Sequence, residues 1–144
     1  MEEQNHNVCM HAVTAYIDRR IRPTMAEAGL KKSYGPILMA IKMNPGCSMK
    51  DISESIHVDK ALVTRTSAEL MKKGLIENSN PGTRQYSLHI TQKGEDAFDK
   101  VDSAVSKAWG ELLCDLTDDE IESGKRILNK ILKAAEKGLE GSEA

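Results

Sequence analysis

The sequence predicts a mainly α-helical chain with one small β-hairpin wing, in the order α-α-α-α-β-β-α-α. Three observations lead there. Apolar residues recur at helical spacing along most of the chain; two short helical stretches meet at a tight turn inside residues 48–75; and a strand-like alternation with a Pro-Gly turn follows at once. A helix-turn-helix continued by a hairpin is a winged helix-turn-helix, which can lay its second helix in the DNA major groove.

Each element has its own warrant. Residues 8–21 form a first helix, with Val8, Ala12, Ala15 or Tyr16, and Arg19 tracing its inward side. Pro23 should kink or end it, because proline lacks the amide donor and clashes with the preceding turn. Residues 25–30 resume the helix, and residues 36–43 form a short apolar one, stopped by Asn44-Pro45-Gly46. Ser48 caps the next helix with Asp51 as its capping-box partner, and Met49, Ile52 and Ile56 form the buried stripe. Asp59 caps the fourth helix. There Val63, Ser67 and Leu70 face inward, while Lys60, Ala61, Thr64, Arg65, Ala68 and Lys72 are left outside.

Gly74 is placed to end that helix, and Leu75 starts a strand. Tyr86, Leu88 and Ile90 alternate with Gln85, Ser87 and His89, so one face of the returning strand is buried, and the tip lies within residues 78–83. Thr91 caps a long helix with Ala97, Phe98, Val101, Val105, Ala108, Trp109, Leu112 and Leu113 on its apolar positions. Thr117 and Glu120 form a capping box that opens the last helix, with Ile121, Leu128, Ile131, Leu132, Ala135 and Leu139 as its stripe. The final residues, GSEA, read as disordered.

Length and composition fit a single domain over residues 1–144, since 40% hydrophobic content is enough for one core. Aromatics are only 3%, which argues against a stacking platform for RNA or single strands. No run approaches the roughly 18 apolar residues of a membrane span, and MEEQNHN is too acidic and polar for a secretory signal, so a cytoplasmic location is expected. The three cysteines, Cys9, Cys47 and Cys114, form no CxxC pair, which argues against a zinc ribbon or disulfide framework. No nucleophile–base pair, phosphate loop or metal motif points to an enzyme, and no cofactor is implied.

The net charge of −2 conceals a division of sign. Residues 31–93 hold ten Lys/Arg against five Asp/Glu, whereas residues 94–144 hold seven against thirteen. Residues 31–93 therefore read as a DNA-facing winged-helix part, and residues 1–30 and 94–144 as a helical dimerisation part.

The runs MKDISESIHVDKALVTRTSAELMKKGLI and RQYSLHITQKGEDAF resemble the MarR (multiple-antibiotic-resistance regulator) family of dimeric winged-helix regulators. The specific parts are VDKALVTR at the start of the second helix, MKKGLI at its stop, and Arg84…Ile90-Thr91…Gly94 at the hairpin-to-helix junction. The helix order agrees from about residue 8 to residue 139. One departure stands out: Gly82 occupies the place of the aspartate in the family's Asp-x-Arg wing, which there helps hold the arginine.

The residues divide the work of a DNA reader. Arg65 suits a bidentate contact to guanine, Thr64 a base or backbone hydroxyl contact, and Ala61 a close approach to a thymine methyl. Lys60 and Lys72 suit phosphates, Ser48 lies where a helix N-terminus can meet one, and Arg84 at the wing tip suits the minor groove. Arg65 has an alternative partner in Glu69 at i,i+4. Lys31 and Lys32 read as a solvated pair.

The outer helices carry more apolar surface than a small winged helix can cover. Val8, Ala12, Trp109, Ile121, Leu128, Ile131 and Leu132 therefore need a partner. The resemblance implies that it is the same region of a second subunit, which makes them dimerisation residues of a homodimer on a pseudo-palindromic double-stranded operator; an intramolecular bundle is the alternative. The same resemblance implies a repressor or activator whose DNA binding is relieved by a small aromatic or amphipathic effector, bound between the dimer helices and the winged helix. Two further readings accompany this one. Cys9, early in the first helix within HNVCMHAV, resembles the reactive cysteine of the family's hydroperoxide sensors, with Cys114 as a resolving thiol and Tyr34 near an assisting tyrosine's place. The winged helix could instead serve protein contacts alone. His6, Cys9 and His11 lack a fourth ligand, so no metal is expected.

Overall fold

A computed structural model describes residues 6–141, with side chains from Cys9 onward. The readings of the N-terminal run, of Val8 and of Ser142–Ala144 at the extreme C-terminus lie outside the described residues. The elements are α1 (His6–Glu27), α2 (Tyr34–Met43), α3 (Met49–Ile56), α4 (Lys60–Lys72), β1 (Ile76–Asn78), β2 (Leu88–Ile90), α5 (Gln92–Leu113) and α6 (Asp118–Glu140). Their order is the expected one. Contacts divide the chain into two compact units, residues 1–108 and 109–144.

In the first unit the core sits where α2, α3, α4 and the hairpin meet. Ile37, Leu38 and Ile41 of α2 pack with Ile52 of α3, Val63 and Leu70 of α4, Leu75, Ile76 and Leu88, all essentially inaccessible to water. Each such side chain taken from water contributes about 1.5–3 kcal/mol. The strands are short and antiparallel, with Ile76 opposite Ile90, Glu77 opposite His89 and Asn78 opposite Leu88. Cys47 adds one further bridge: the Leu88 amide donates to its carbonyl at 2.9 Å, while the Gly46 amide donates to Leu88 at 2.8 Å.

The helix-turn-helix forms for the reasons its sequence gives. The Ser48 hydroxyl accepts the Asp51 amide at 3.1 Å, and the Asp51 carboxylate accepts the Ser48 amide at 2.8 Å. The Asp59 carboxylate accepts the Ala61 amide at the start of α4. Between them the backbone turns through His57 in the left-handed region, at φ 52. At the far end of α4, Gly74 (φ +71) closes a Schellman motif: its amide donates to Met71 and the Leu75 amide to Leu70, both at 3.0 Å.

The start of α5 is locked against that stop. The Thr91 hydroxyl donates to the Gly74 carbonyl at 2.6 Å and accepts the Gly94 amide at 3.1 Å. Gly94 is needed for contact, because a Cβ there would lie 2.1 Å from the Leu75 carbonyl oxygen.

Two sequence expectations for α1 need correction. The helix runs through Pro23 to Glu27. Proline removes only the bond to the Arg19 carbonyl, and since Arg19 and Pro23 are both exposed, that carbonyl lies on the solvent side. The inward line is Val13, Ile17 and Ile21, whereas Ala12, Ala15, Tyr16 and Arg19 are exposed. Small alanines fit either face of a helix, so they mark the inward side poorly; the three β-branched residues at i, i+4 and i+8 mark it better.

Lys31 and Lys32 are also more than a solvated pair. The Lys31 ammonium lies 3.0 Å from the Glu69 carboxylate, and Lys32 pairs with Asp18. Tyr34 belongs to the core, and its hydroxyl donates to Glu69 at 2.7 Å. Burial, followed by that bond, pushes the Tyr34 phenol up from its ordinary range, and the two donors hold Glu69 below the ordinary carboxylate range.

The second unit begins at Trp109 and contains α6. Its start carries the expected box, with the Thr117 hydroxyl accepting the Glu120 amide at 3.2 Å and the Glu120 carboxylate accepting the Thr117 amide at 2.9 Å. No residue of α6 is buried, and Ile127, Leu128, Ile131 and Leu132 are all more than half exposed.

Gly94→Ala should lower the stability of the folded chain by about 1–3 kcal/mol or more, because backbone must move to admit the methyl group. Gly35→Ala, with nothing within 4 Å of the added atom, should leave stability unchanged or slightly raised. Urea denaturation of the two variants compares them directly; equal midpoints would refute the close approach.

Candidate nucleic-acid interface

The outward face of α4 is set by its inward one. Because Val63, Thr66, Ser67 and Leu70 are buried, Lys60, Ala61, Thr64, Arg65, Ala68 and Lys72 are turned to solvent, and all six are exposed as the sequence indicated. Thr66 was missed as an inward residue; the small polar side chain gave no apolar signal. Arg65 makes no hydrogen bond or ion pair among the described residues, so its guanidinium fork is unspent. Its expected competitor, Glu69, is held instead by Lys31 and Tyr34. The Thr64 hydroxyl donates to the Lys60 carbonyl at 2.9 Å, which leaves its oxygen free to accept.

Ser48 is half-buried at the start of α3, but the Asp51 carboxylate already occupies that helix terminus. The Ser48 amide and the hydroxyl it turns toward it hold Asp51 below its ordinary range, so it stays ionised there. A phosphate would meet like charge there, with the Ser48 amide already given to Asp51.

The wing replaces its missing aspartate with an amide network. Asn78 Oδ1 accepts the amides of Asn80 at 3.1 Å and Ser87 at 2.9 Å, bridging the two sides of the loop. Asn80 Nδ2 donates to the Gln85 carbonyl at 2.9 Å, and the Thr83 hydroxyl donates toward the carbonyls of Asn80 and Gln85 at 3.2 and 3.0 Å. Gly82, at φ +83, makes the turn. Arg84 stands exposed on this loop and without a partner among the described residues. The Ser-Asn-Pro-Gly run signalled a turn; which side chains would cross it was not visible.

A second feature of the first unit is a cleft of about 500 Å³ between α1, α2 and α5. Ile21, Met25, Leu38, Met39, Phe98 and Val101 make it apolar, and Asp18, Lys31, Lys32 and Asp102 supply charge at its wall. Lys42 pins α2 to α5 beside it by pairing with Glu95 while lying 4.8 Å from the centre of the Phe98 ring.

The cysteines form no disulfide: Cys9 is half-buried in α1, Cys47 buried and Cys114 exposed. No group of three His, Cys, Asp or Glu among the described residues is arranged to hold a metal ion, and no helix among them is long and apolar enough to cross a membrane. The side chain of His6 lies outside the described residues.

Residues 35–81, the segment from α2 to the wing loop, match the model of the MarR family. Over that segment the chain is similar to the MarR family. It is 35% identical over 85 residues to the HTH-type transcriptional regulator BilQ of Clostridioides difficile (strain CD3), a match covering 58% of this chain and 57% of that protein. The HTH-type transcriptional repressor MdtR of Bacillus subtilis (strain 168) is 26% identical over 124 residues, covering 82% and 80%. Among the first of these curated relatives the chain spans about half of their length, 57% and 53%. In architecture it is similar to a MarR transcriptional regulator from Methanosarcina mazei Go1, with a TM-score of 0.81 at 17% identity over 95% of this chain and 93% of the other. That likeness shows the fold. The matched segment includes the exposed face of α4 and the first side of the wing loop.

Asn78→Ala should leave the helical core intact and loosen the wing, since the change removes the acceptor shared by two amides. Hydrogen exchange at the Asn80 and Ser87 amides should speed up by about fivefold to thirtyfold, the equivalent of about 1–2 kcal/mol. Unchanged protection at both would refute the stapling.

Proposed function

We propose that this chain is a DNA-binding transcription regulator. It acts as a homodimer on a pseudo-palindromic operator and leaves the DNA when a small aromatic or amphipathic effector fills the cleft. The observation that carries the reading is the face of α4: two lysines and an unpaired arginine flank two alanines and a threonine, and the nearby Glu69 carboxylate is held by Lys31 and Tyr34. Lys60 and Lys72 neutralise phosphates and Arg65 reads a base edge, while Ala61 and Ala68 let the helix backbone approach the groove floor. Arg84 extends the contact to the minor groove from a wing already held in shape by Asn78.

A second copy covers the exposed stripe of α6, with Trp109, Ile121, Leu128, Ile131 and Leu132 at the contact and Ala12 contributed from α1. Two-fold symmetry then sets two α4 helices about 34 Å apart, one turn of DNA. The acidic balance of residues 94–144 keeps that end away from phosphate.

The cleft has the volume of a small-molecule site, which runs to about 300–1,000 Å³. A MarR-family protein of Mycobacterium tuberculosis, Rv2887, was solved in complex with salicylic acid, and its 17% identity to this chain supports the likeness in fold. An effector releases DNA only in proportion to its preference for the state that cannot bind.

Arg65→Ala should abolish specific binding to a duplex selected from a random pool, because a bidentate base contact carries about 1–3 kcal/mol of discrimination. The dimer should persist. A titration showing unchanged affinity and base preference would refute the role. Sedimentation at micromolar concentration should show a dimer; a folded, helical monomer would remove the α6 interface.

A further inference from the structure

One carboxylate links a residue of the cleft wall to the exposed face of α4. Glu69 lies on α4 four residues after Arg65, one helical turn along, where the two side chains are within reach of each other. In this structure its Oε2 atom receives both the Tyr34 hydroxyl at 2.7 Å and the Lys31 ammonium at 3.0 Å. Lys31 is itself part of the cleft wall and lies 5.7 Å from the centre of the Tyr34 ring. Arg65 contributes to the depressed pKa of Glu69, so its charge already reaches that carboxylate.

We propose that Lys31 is a positioning residue for Arg65: it occupies Glu69 and so leaves the arginine free to meet DNA. Withdraw Lys31, and the carboxylate is left to the cations one turn either side of it. Of these, Lys73 is already bonded to the Gly29 carbonyl at 3.1 Å, and Arg65 makes no bond among the described residues. An anionic head group entering the cleft withdraws Lys31 by direct competition, and Arg65 is then neutralised at the DNA face without any movement of the helix. Tyr34 keeps its bond in both arrangements, because a carboxylate has a second oxygen for Arg65. The arginine precedes the glutamate, the weaker order for a helical pair, so the device modulates binding by a small factor. The inference rests on the DNA-binding reading for its consequence, but the exchange of partners is a property of the free protein.

The test uses the full chain and a duplex selected from a random pool. Lys31→Ala should weaken binding by about twofold to fivefold, the scale of an exposed ion pair. Lys31→Arg should bind as the wild type does, and Lys31→Ala combined with Glu69→Gln should recover wild-type affinity, since a neutral amide no longer captures Arg65. A loss that Glu69→Gln does not relieve, with a shallower salt dependence, means that Lys31 touches phosphate, and it overturns the proposal. In the free protein the Arg65 Nε–Hε resonance should shift in Lys31→Ala and return in the double variant. An unshifted resonance overturns the proposal as well. If the pool yields no duplex while the resonance behaves as stated, the DNA-binding reading fails and the exchange of partners stands.

Discussion

The Thr91 hydroxyl holds together the parts on which the rest of the chain is built. It donates to the carbonyl of Gly74, at the stop of α4, and accepts the amide of Gly94, in the first turn of α5. One oxygen thus joins the end of α4 to the start of the long helix, across a separation of 17 residues that spans the hairpin. Gly94 keeps that distance short, and Lys93 adds a bond to the Lys73 carbonyl at 2.8 Å. The wing is therefore an excursion between two fixed posts. Its base moves with α4, and only its tip is left to local chemistry.

Features written in neighbouring residues could be read from the chain. The capping boxes at Ser48–Asp51 and Thr117–Glu120, the glycine stop after α4 and the exposed cationic face of α4 all depend on spacings of three or four residues, and all stand as the sequence indicated. Contacts between distant residues were hidden. Nothing in a linear reading joins Lys31 to Glu69, 38 residues apart, or Lys42 to Glu95, 53 residues apart. The wing lay between these cases: Asn78 and Ser87 are nine residues apart, close enough to belong to one turn and too far for the bond to be named in advance. Alanine-rich α1 misled for another reason, since a small side chain carries little information about which way it faces.

The electrostatics of the winged helix are economical in free cations. Lys31, Lys32, Lys42, Lys73 and Lys93 are spent on bonds inside the first unit. Lys60, Arg65, Lys72 and Arg84 are left without a partner among the described residues, and they lie on α4 and the wing. The charge excess counted over residues 31–93 therefore overstates the cations available to a ligand, while the ones left over lie on α4 and the wing. A count of charges locates a face; only the pairing shows which charges remain on it.

Cys47 illustrates a different consequence of the same construction. Its backbone is bonded to Leu88 and its thiol is buried, so burial, with some help from the nearby Asp51 charge, raises its pKa. An alkylating reagent needs a reachable thiolate, and neither condition is met while the hairpin lies on α2. Labelling at Cys47 then lags well behind labelling at the exposed Cys114, at a rate set by how often the packing around the buried thiol opens. The chain thereby carries a native chemical timer for the opening of its core, legible by mass without any engineered probe.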